Sequence, residues 1–336
     1  MSAQVLHKTA HLLPDWAAPI STELDLVDRR LESVLMSDVD AAFGISVGLL
    51  SAGGKRVRPA LVLLTAFACN RDADRDRAVN LAAAMELVHM ASLVHDDVVD
   101  ERLSRRGAPT ANASWGNKIS VLGGDFILSK GFSLIAADGD PDVTRTLAAT
   151  AVKMTESEVL QAACEGSLDM WEASYDRIIR DKTALLMGAC CECGVIAAGA
   201  GRAVRAAVRE YGTSVGLAFQ ITDDVLDVIG DPSRTGKETG TDIAGGKFTL
   251  PVLIAAREAE PDARSRLLSA LSREMIGEQD AEEIARLVVE SGAVRKALDV
   301  AVRHSDDARA SLAVLPPSCF TDALFLLASH ASTRQS

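Results

Sequence analysis

Two clusters of aspartates with the same spacing occur in the sequence, and each follows a long run with few charges. They are DDVVD, with Asp96, Asp97 and Asp100, and DDVLD, with Asp223, Asp224 and Asp227. On a helix, the first and last aspartates of such a cluster project from one face, and the middle one lies beside them. Like charges at this spacing repel each other, and near the C-terminal end of a helix they also oppose the helix dipole. Each cluster therefore predicts a bound cation that offsets the repulsion.

The carboxylate oxygens of the two clusters suit Mg²⁺, a hard ion that keeps several waters and is commonly shared with substrate phosphates. A pair of aspartate-bearing helices thus predicts a site for Mg²⁺ and a diphosphate. The alternative is that each cluster is an ordinary solvated helix end. Two matching clusters, each after a long uncharged run, favour the metal site over this alternative.

A short basic segment, SAGGKRVRP at residues 51–59, stands out in a protein that is otherwise acidic. We interpret it as a turn between two helices. Its cations are Lys55, Arg56 and Arg58, and Arg105 and Arg106 follow the first aspartate cluster. Arginine forms bidentate contacts with phosphate, lysine supplies a point charge, and glycine lets the backbone approach closely. The segment therefore predicts a second anion site, which Arg105 and Arg106 can connect to the first.

The composition is typical of a globular helical protein. Of the 336 residues, 48% are hydrophobic, 24% are charged and only 4% are aromatic. Alanine and leucine, which favour helices over strands, are abundant. Proline and glycine fall between apolar segments of about 15–25 residues, a length that suits helices. The sequence thus predicts an all-α fold with a single domain over residues 1–336.

Charge and cysteine usage limit the partners and the compartment. A net charge of −12, from 35 basic and 47 acidic residues, disfavours nucleic acid and anionic membranes as partners. The N-terminal segment lacks the basic start and apolar core of a signal peptide. The six cysteines form no disulfide framework, and we interpret Cys190-x-x-Cys193 as helix packing rather than a zinc or redox site, since no second pair accompanies it. We therefore expect a cytoplasmic protein with reduced thiols and no stable membrane anchor.

Three long segments predict buried helices. Residues 79–101 and 203–229 each carry one aspartate cluster, and Gly and Pro follow the second segment. Residues 184–201 predict a buried helix rather than a membrane span, because Glu192 interrupts the apolar run. Residues 230–247 contain five glycines and few apolar residues, which predicts a surface loop.

At the level of motifs, the sequence resembles the trans-isoprenyl diphosphate synthases, or polyprenyl synthetases. The matching segments are GGKRVRP, ELVHMASLVHDDVVDE, RRGAPTAN, GNKISVLGGDFILSKGF, DKTALLMGACCE, FQITDDVLDVIGD and GKETGTDIAGGKFTLP, in the family's order over about residues 40–255. The resemblance implies the isoprenoid synthase fold, a helical bundle around a central elongated cavity with the two clusters facing each other across it. It also implies a homodimer that uses Mg²⁺ to condense isopentenyl diphosphate head-to-tail onto an allylic diphosphate.

The resemblance further implies a role for individual residues. The ligands of isopentenyl diphosphate would be Lys55, Arg58, His89 and Arg106. Those of the allylic diphosphate would be Arg105, Lys182, Thr183, Gln220, Lys237 and Lys247. The metal ligands would be Asp96, Asp97, Asp100, Asp223, Asp224 and the more peripheral Asp227, and the catalytic residues Lys182, Thr183, Gln220, Asp96 and Asp223. The ending SHASTRQS departs from the basic tail of many family members, so no role is carried over to it.

The helix that leads to Asp96 predicts a long product. Ala91 and Ser92 precede it by about one turn and would line the cavity wall below the reacting carbon. Family members that make short products often have an aromatic residue there, so these small residues predict a chain of C30 or more, with C40 to C50 favoured. The next wall positions are Leu87 and Val88, and Phe132 is a candidate floor, although a phenylalanine in an apolar segment is more often plain core.

Three alternatives for the function stay open. A short-chain synthase making C15 to C20 products would share the same motifs. A class I terpene cyclase would not need GGKRVRP, and its second metal motif usually mixes Asn or Asp with Ser and Glu. A non-catalytic subunit of a heteromeric synthase tends to lose carboxylates or cations, and this sequence has them all.

Overall fold

The computed structural model of the protein describes residues 14–230, 240–273 and 275–333, and its secondary structure is almost entirely helical. The α-helices up to the second half of the chain are α1 (Ser21–Val34), α2 (Asp40–Ser51), α3 (Val57–Cys69), α4 (Arg75–Val99), α5 (Ala111–Trp115), α6 (Asn117–Asp138), α7 (Pro141–Cys164) and α8 (Leu168–Ile179). The later ones are α9 (Leu185–Ala197), α10 (Arg202–Ile229), α11 (Thr241–Ala244), α12 (Leu250–Glu258), α13 (Pro261–Leu271), α14 (Glu278–Glu290), α15 (Ala293–Ser311) and α16 (Cys319–Thr333). Two 3₁₀-helices, Asp15–Ile20 and Leu312–Val314, and a π-helical segment, Arg180–Ala184, add to them. The predicted all-α fold class is confirmed.

The chain divides into two compact units. Unit 1 contains the described residues of Met1–Thr146, Cys190–Arg205 and Leu315–Leu324, and unit 2 those of Leu147–Ala189, Ala206–Val314 and Phe325–Ser336. The first aspartate cluster lies in unit 1 and the second in unit 2. A single domain over residues 1–336, and a central cavity between the clusters, stay predictions.

In unit 1, the long helix α4 packs against α1, α3 and α6. It begins at Arg75, four residues before the predicted start, because the Asp74 side chain caps it by accepting a hydrogen bond from the Arg77 amide at 3.0 Å. The Arg77 guanidinium also pairs with Asp138 at 2.7 Å and Asp140 at 2.9 Å, at the far end of α6. The start of the cluster-bearing helix is therefore fixed to its neighbour.

The core of unit 2 is built around α8, α10 and α12. Trp171, Tyr175 and Phe248 are the buried aromatic residues of this core, and α12 packs against α8, α13, α14 and α15. Helix α10 is amphipathic over most of its length, and its apolar face contributes Ile221 and Val225 to this core. The second aspartate cluster is thereby held on a helix whose one side is fully packed.

One small β-hairpin in unit 1 escaped the sequence interpretation. Strands β1 (Ser104–Arg105) and β2 (Ala108–Pro109) pair antiparallel through Arg105 and Ala108. Arg106 and Gly107 form its two-residue turn with φ of 53° and 75°. Positive φ at both central positions defines a type I′ turn, which glycine favours and arginine does not. The hairpin places Arg106 at an exposed tip immediately after the first aspartate cluster.

The predicted surface loop 230–247 is partly wrong. Residues 231–239 lie outside the described part of the chain, but α11 forms at its end and buries Ile243 completely. The Trp171 indole N–H donates to Gly246 O at 3.1 Å, and the Gly166 amide donates to the same oxygen at 3.0 Å. These contacts fix the segment that precedes Lys247.

Two helices have the length and composition of a membrane span, α4 and α6. In α4, 72% of the apolar stretch is buried, as in the core helix of a globular unit, whereas in α6 only 33% is buried. The segment 184–201, by contrast, forms α9, whose residues are almost all buried, as predicted. The exposed apolar residues of α6 therefore need another explanation.

Substitution of Gly194 in α9 tests the packing of unit 1. An added methyl group there would overlap Thr65 Oγ1 and Val62 O of α3. We expect Gly194→Ala to lower the free energy of unfolding by about 1–3 kcal/mol through overpacking. Gly48→Ala is the control, because open space surrounds Gly48. This change should raise the free energy of unfolding by about 0.5–1 kcal/mol through helix propensity. Urea unfolding followed by circular dichroism measures both; equal effects would contradict the close packing of α9 on α3.

Candidate active site

The basic segment of unit 1 spans the end of α2 and the start of α3. Helix α3 begins at Val57, so Arg58 and Pro59 belong to its first turn and the predicted turn is shorter than residues 51–59. A proline fits this first turn because no helical partner exists there for its missing N–H. Arg56, at the N-terminal boundary, adopts a left-handed conformation with φ of 50°. The loop thus turns sharply between Lys55 and Arg58.

Arg56 does not point into an anion site as the sequence interpretation suggested. Its Nε donates to Asp28 Oδ1 and its Nη1 to Glu86 Oε1, both at 2.9 Å. Asp28 lies on α1 and Glu86 on α4, and the Glu86 side chain is nearly buried. The two carboxylates neutralise the guanidinium and hold the loop. Lys55 and Arg58 therefore remain as the predicted ligands of this segment.

Positive charge collects around His89, one turn after Glu86 on α4. Burial lowers the pKa of His89 well below its ordinary value, and Arg58, Arg106, Arg105 and Arg56 lower it further, in that order. The imidazole is therefore neutral at neutral pH. Unit 1 brings together His89, Arg58 and Arg106, three of the four residues predicted to bind isopentenyl diphosphate.

The Arg106 side chain returns from the hairpin tip to the basic loop. Its Nη1 donates to Gly53 O, so the hairpin and the loop are tied together. Burial and the neighbouring Arg105 lower the pKa of Arg106, an effect that an anion at this position would reverse. The arrangement places Arg106 close to Arg105 and Arg56, with Glu86 as the nearby carboxylate.

In the first aspartate cluster, the middle residue differs from the other two. Asp97 is only 3% exposed, and its Oδ1 accepts hydrogen bonds from Arg105 Nε at 2.9 Å and Nη2 at 2.8 Å. Asp96 and Asp100 are partly exposed, and Asp100 pairs with Arg102 at 3.2 Å. Arg105, predicted to bind the allylic diphosphate, is therefore also the internal partner of Asp97.

The second cluster in unit 2 shows the same difference. Asp224 is 2% exposed, and accepts a hydrogen bond from the Tyr175 hydroxyl at 2.6 Å and one from Gln220 Nε2 at 2.9 Å. Burial raises the pKa of Asp224 to about 8, while the two hydrogen bonds favour the carboxylate. Asp223 and Asp227 are partly exposed. In each cluster, the middle aspartate is thus buried and the flanking two reach the surface of their unit.

The π-helical segment carries Lys182 and Thr183. The Thr183 hydroxyl donates to Gln220 Oε1 at 2.8 Å, so two residues predicted to act together are in contact. Lys182 Nζ donates to Glu158 at 2.9 Å and to Gln161 at 3.2 Å, both on α7. Single π-helical turns of this kind occur frequently at functional sites.

Asp227 and Lys247 lie at the two ends of the glycine-rich segment. The Asp227 carboxylate accepts from the Asp242 amide at 3.1 Å, and its carbonyl accepts from the Gly240 amide at 2.7 Å. Asp227 therefore anchors the start of α11, which agrees with a peripheral place in the cluster. The Lys247 amide donates to Asp242 O at 2.8 Å. Lys237 lies outside the described residues.

The residues predicted to limit product length lie on α4 and α6. Ala91, Leu87 and Val88 are 1%, 0% and 3% exposed, so each is buried within unit 1. Ser92 is partly buried and its hydroxyl donates to His89 O at 2.9 Å. Phe132 is 40% exposed, so it is not plain core of unit 1. The part that any of them plays in product length stays a prediction.

The donor chemistry of the clusters fits a divalent metal shared with a ligand. Within the described ranges, no group of three or more His, Cys, Asp or Glu side chains is arranged to hold an ion by itself. Mg²⁺ commonly takes one or two carboxylates and completes its shell with water and phosphate oxygens. The partly exposed pairs Asp96 with Asp100 and Asp223 with Asp227, each about one helical turn apart, are suited to such an ion.

Several polar partners were missed by the sequence interpretation. They are Asp28, Glu86, Arg102, Glu158, Gln161 and Tyr175. Two of them carried a signal: Glu86 is a charge within a long apolar run, and Tyr175 is one of only two tyrosines. His95, beside Asp96, has its Nε2 at 3.2 Å from Val121 O and 3.4 Å from Asp125 Oδ1, both on α6.

Comparison with known proteins decides the family. The polyprenyl synthetase family profile matches residues 44–288. The chain belongs to the polyprenyl synthetase family. The predicted family and the predicted enzyme class, the prenyltransferases, are thereby confirmed.

Relatives in this family differ in product length. The chain is 36% identical to octaprenyl diphosphate synthase of Escherichia coli (strain K12) over 308 residues, which cover 92% of this chain and 94% of that protein. It is 36% identical to a short chain isoprenyl diphosphate synthase of Methanothermobacter thermautotrophicus over 316 residues, 93% of this chain and 96% of the relative. It is also 41% identical to heptaprenyl diphosphate synthase component 2 of Geobacillus stearothermophilus over 236 residues, 70% and 73% of the two chains.

A solved structure that shares the fold contains calcium and isoprenyl diphosphate. The polyprenyl synthase from Caulobacter crescentus CB15, in complex with calcium and isoprenyl diphosphate, matches with a TM-score of 0.90 and 35% sequence identity. The match covers 98% of this chain and 100% of that one. That member of the family thus binds calcium and an isoprenyl diphosphate.

Thiol reactivity tests whether the C-x-x-C pair is buried packing. Cys190, Cys191 and Cys193 are completely buried, and burial raises the pKa of Cys190 to about 12. A thiol with a raised pKa stays protonated at pH values near 8 and reacts slowly. We expect iodoacetamide to label the exposed Cys319 in the native protein and the C-x-x-C peptide only after denaturation, as read by mass spectrometry. Rapid native labelling of that peptide would contradict the packing role.

Proposed function

We propose that the protein is a trans-polyprenyl diphosphate synthase that condenses isopentenyl diphosphate head-to-tail onto an allylic diphosphate primer of farnesyl or geranylgeranyl type. The observation that carries the proposal is the presence, in one chain of this family, of two aspartate clusters and a separate arginine site around a neutral histidine. A diphosphate at each of the two kinds of site matches a reaction between two diphosphate substrates.

Isopentenyl diphosphate would bind to Lys55, Arg58, His89 and Arg106. The collected guanidiniums favour an anion, and the neutral imidazole of His89 can donate a hydrogen bond to it without adding charge. Arg56 pairs with Asp28 and Glu86, which neutralise its charge. It therefore holds the loop that carries Lys55 rather than binding the substrate.

The allylic diphosphate would bind through cations and through metal held by the aspartates. The cationic ligands are Arg105, Lys182, Lys237 and Lys247, and the metal ligands are Asp96, Asp97, Asp100, Asp223, Asp224 and Asp227. Bound Mg²⁺ would supply Lewis-acid stabilisation of the departing diphosphate. The outer aspartates are the best supported ligands, since they are partly exposed whereas Asp97 and Asp224 are buried.

The chemical step would be ionisation of the allylic C–O bond, followed by attack of the isopentenyl double bond on the allylic cation. The lysine and arginine ligands stabilise the negative charge that develops on the leaving diphosphate. The oxygens of Thr183 and Gln220 and the carbonyl of Lys182 would stabilise the positive charge without forming a bond to it. By analogy with the family, the released diphosphate takes up the proton that is then lost.

A long product of C30 or more, with C40 to C50 favoured, is part of the proposal. Its support is the small side chain of Ala91 one turn below Asp96, together with the octaprenyl synthase among the relatives. The second candidate is a short-chain synthase, which the similarity to the short chain isoprenyl diphosphate synthase favours.

We further propose that the protein forms a homodimer in the cytoplasm. The support for self-association is the exposed apolar surface of α6, where Val121, Leu122 and Phe132 are 40%, 55% and 40% exposed. The competing arrangement is a complex with a different subunit, since one relative is named as component 2 of its synthase. Six cysteines without a disulfide agree with a reducing compartment.

Assay of the purified chain alone tests these proposals together. Labelled isopentenyl diphosphate is supplied with farnesyl or geranylgeranyl diphosphate and Mg²⁺, and the dephosphorylated products are separated by chromatography. We expect linear products of C30 or more, complete loss of turnover with EDTA, and a mass in solution of two chains. Cyclic hydrocarbons would indicate a terpene cyclase, a dominant C15 or C20 product a short-chain synthase, and an inactive chain a need for another subunit.

An aromatic residue at position 91 tests the product wall. We expect Ala91→Phe to shorten the main product, because the larger ring blocks the path of the growing chain one turn below Asp96. Ala310→Phe, on an exposed position of α15, is the control and should leave product length unchanged. Chromatography of both variants, with thermal unfolding to verify folding, gives the result. Unchanged length in a folded Ala91→Phe protein would show that this face of α4 does not line the product.

A further inference from the structure

Four polar side chains of unit 2 form one continuous hydrogen-bond chain. Tyr175 Oη donates to Asp224 Oδ2 at 2.6 Å, Gln220 Nε2 donates to Asp224 Oδ1 at 2.9 Å, and Thr183 Oγ1 donates to Gln220 Oε1 at 2.8 Å. The chain joins α8, α10 and the π-helical segment. Tyr175 and Asp224 are each 2% exposed, so water does not compete for the inner end.

The direction of this chain is fixed from the tyrosine outward. Tyr175 occupies one oxygen of Asp224, which leaves the other oxygen as the acceptor that faces Gln220. An amide nitrogen donates and does not accept, so Gln220 turns its NH₂ group to Asp224 and its carbonyl to Thr183. Thr183 must then donate its only hydroxyl proton to that carbonyl. Both lone pairs of the Thr183 oxygen are left for another group.

Without the tyrosine hydroxyl, this order would be lost. Asp224 could rotate away, and Gln220 could then turn its NH₂ group toward Thr183. The threonine oxygen would accept that N–H and use a lone pair for it. Because buried hydrogen bonds in a series polarise one another, a reversal at Gln220 also changes the charge on the oxygen at the outer end.

We propose that Tyr175 is a positioning residue that sets the direction of this hydrogen-bond chain, so that Thr183 offers an electron-rich oxygen to the cation formed on the allylic substrate. The inference rests on the proposed function, in which Thr183 lies beside that cation. Tyr175 itself touches no substrate, and it acts through Asp224 and Gln220.

The sequence offers a matched pair of variants for the test. The protein has two tyrosines, and both are buried in unit 2. Tyr175→Phe removes the hydroxyl that begins the chain, and Tyr211→Phe removes the same atom elsewhere. We expect Tyr175→Phe to lower kcat roughly tenfold at saturating Mg²⁺, the effect of one lost buried hydrogen bond. The KM for isopentenyl diphosphate and the Mg²⁺ concentration for half-maximal rate should stay within a factor of about two, and Tyr211→Phe should leave kcat unchanged.

A double-mutant cycle separates positioning from a general structural role. Thr183→Val removes the outer hydroxyl, and Thr183→Ser retains it and should recover most of the activity. If Tyr175 acts through Thr183, then Tyr175→Phe should cost nothing further in the Thr183→Val protein. Additive losses, or a lower melting temperature with unchanged kcat, would overturn the inference.

A measurement that needs no turnover keeps the inference testable apart from the proposed function. With tyrosine labelled at Cζ by ¹³C, the folded protein gives two resonances, which Tyr211→Phe assigns. We expect Thr183→Val to shift the Tyr175 resonance and leave that of Tyr211 in place. If neither resonance moves, the chain does not couple the two ends and the inference fails. An inactive wild-type protein in which Tyr175 shifts would instead count against the proposed function.

Discussion

The cost of burying a carboxylate determines how both aspartate clusters are built. An unpaired charge in a protein interior is strongly unfavourable, so a buried aspartate needs donors that satisfy its oxygens. Asp97 obtains them from Arg105, and Asp224 from Tyr175 and Gln220. In each case the partner comes from an element outside the cluster itself or from one turn before it. The buried aspartate thereby fixes the surroundings of the two outer aspartates, which stay partly exposed and able to share an ion with a ligand.

The same requirement shapes the basic site of unit 1. Of the three non-glycine residues with positive φ among the described residues, Arg56 and Arg106 belong to this site, and Glu101 follows the end of α4. A left-handed conformation costs such a residue about 1–2 kcal/mol, which surrounding contacts must offset. Arg56 obtains that support from two carboxylates and Arg106 from the Gly53 carbonyl. These contacts hold the backbone of the loop from which Lys55 and Arg58 project.

The sequence was sufficient for features that a single helix or motif determines. The i, i+4 spacing of the aspartates, the apolar composition of α4 and α9 and the family motifs predict the helices and the family, and both are confirmed. It was insufficient for contacts between elements that are distant in the sequence. The charge of Arg56 suggested an anion ligand, but only the fold brings Asp28 and Glu86 to it. Likewise, the RRGAPTAN segment has no strand-like alternation, so the short hairpin and its unusual Arg106 turn could not be predicted from periodicity.

The π-helical segment explains how two neighbouring residues can serve different partners. A regular helix turns by about 100° per residue, and the extra residue of a π turn shifts the register of the helix after it. Lys182 thereby reaches Glu158 and Gln161 on α7, while the next residue, Thr183, reaches Gln220 on α10. The close approach of α10 requires Gly216, because a methyl group there would lie 2.5 Å from the Ala184 Cα. Gly216 lies one turn before Gln220. By letting α10 approach the π-helical segment closely, Gly216 allows the Gln220 side chain to reach the Thr183 hydroxyl.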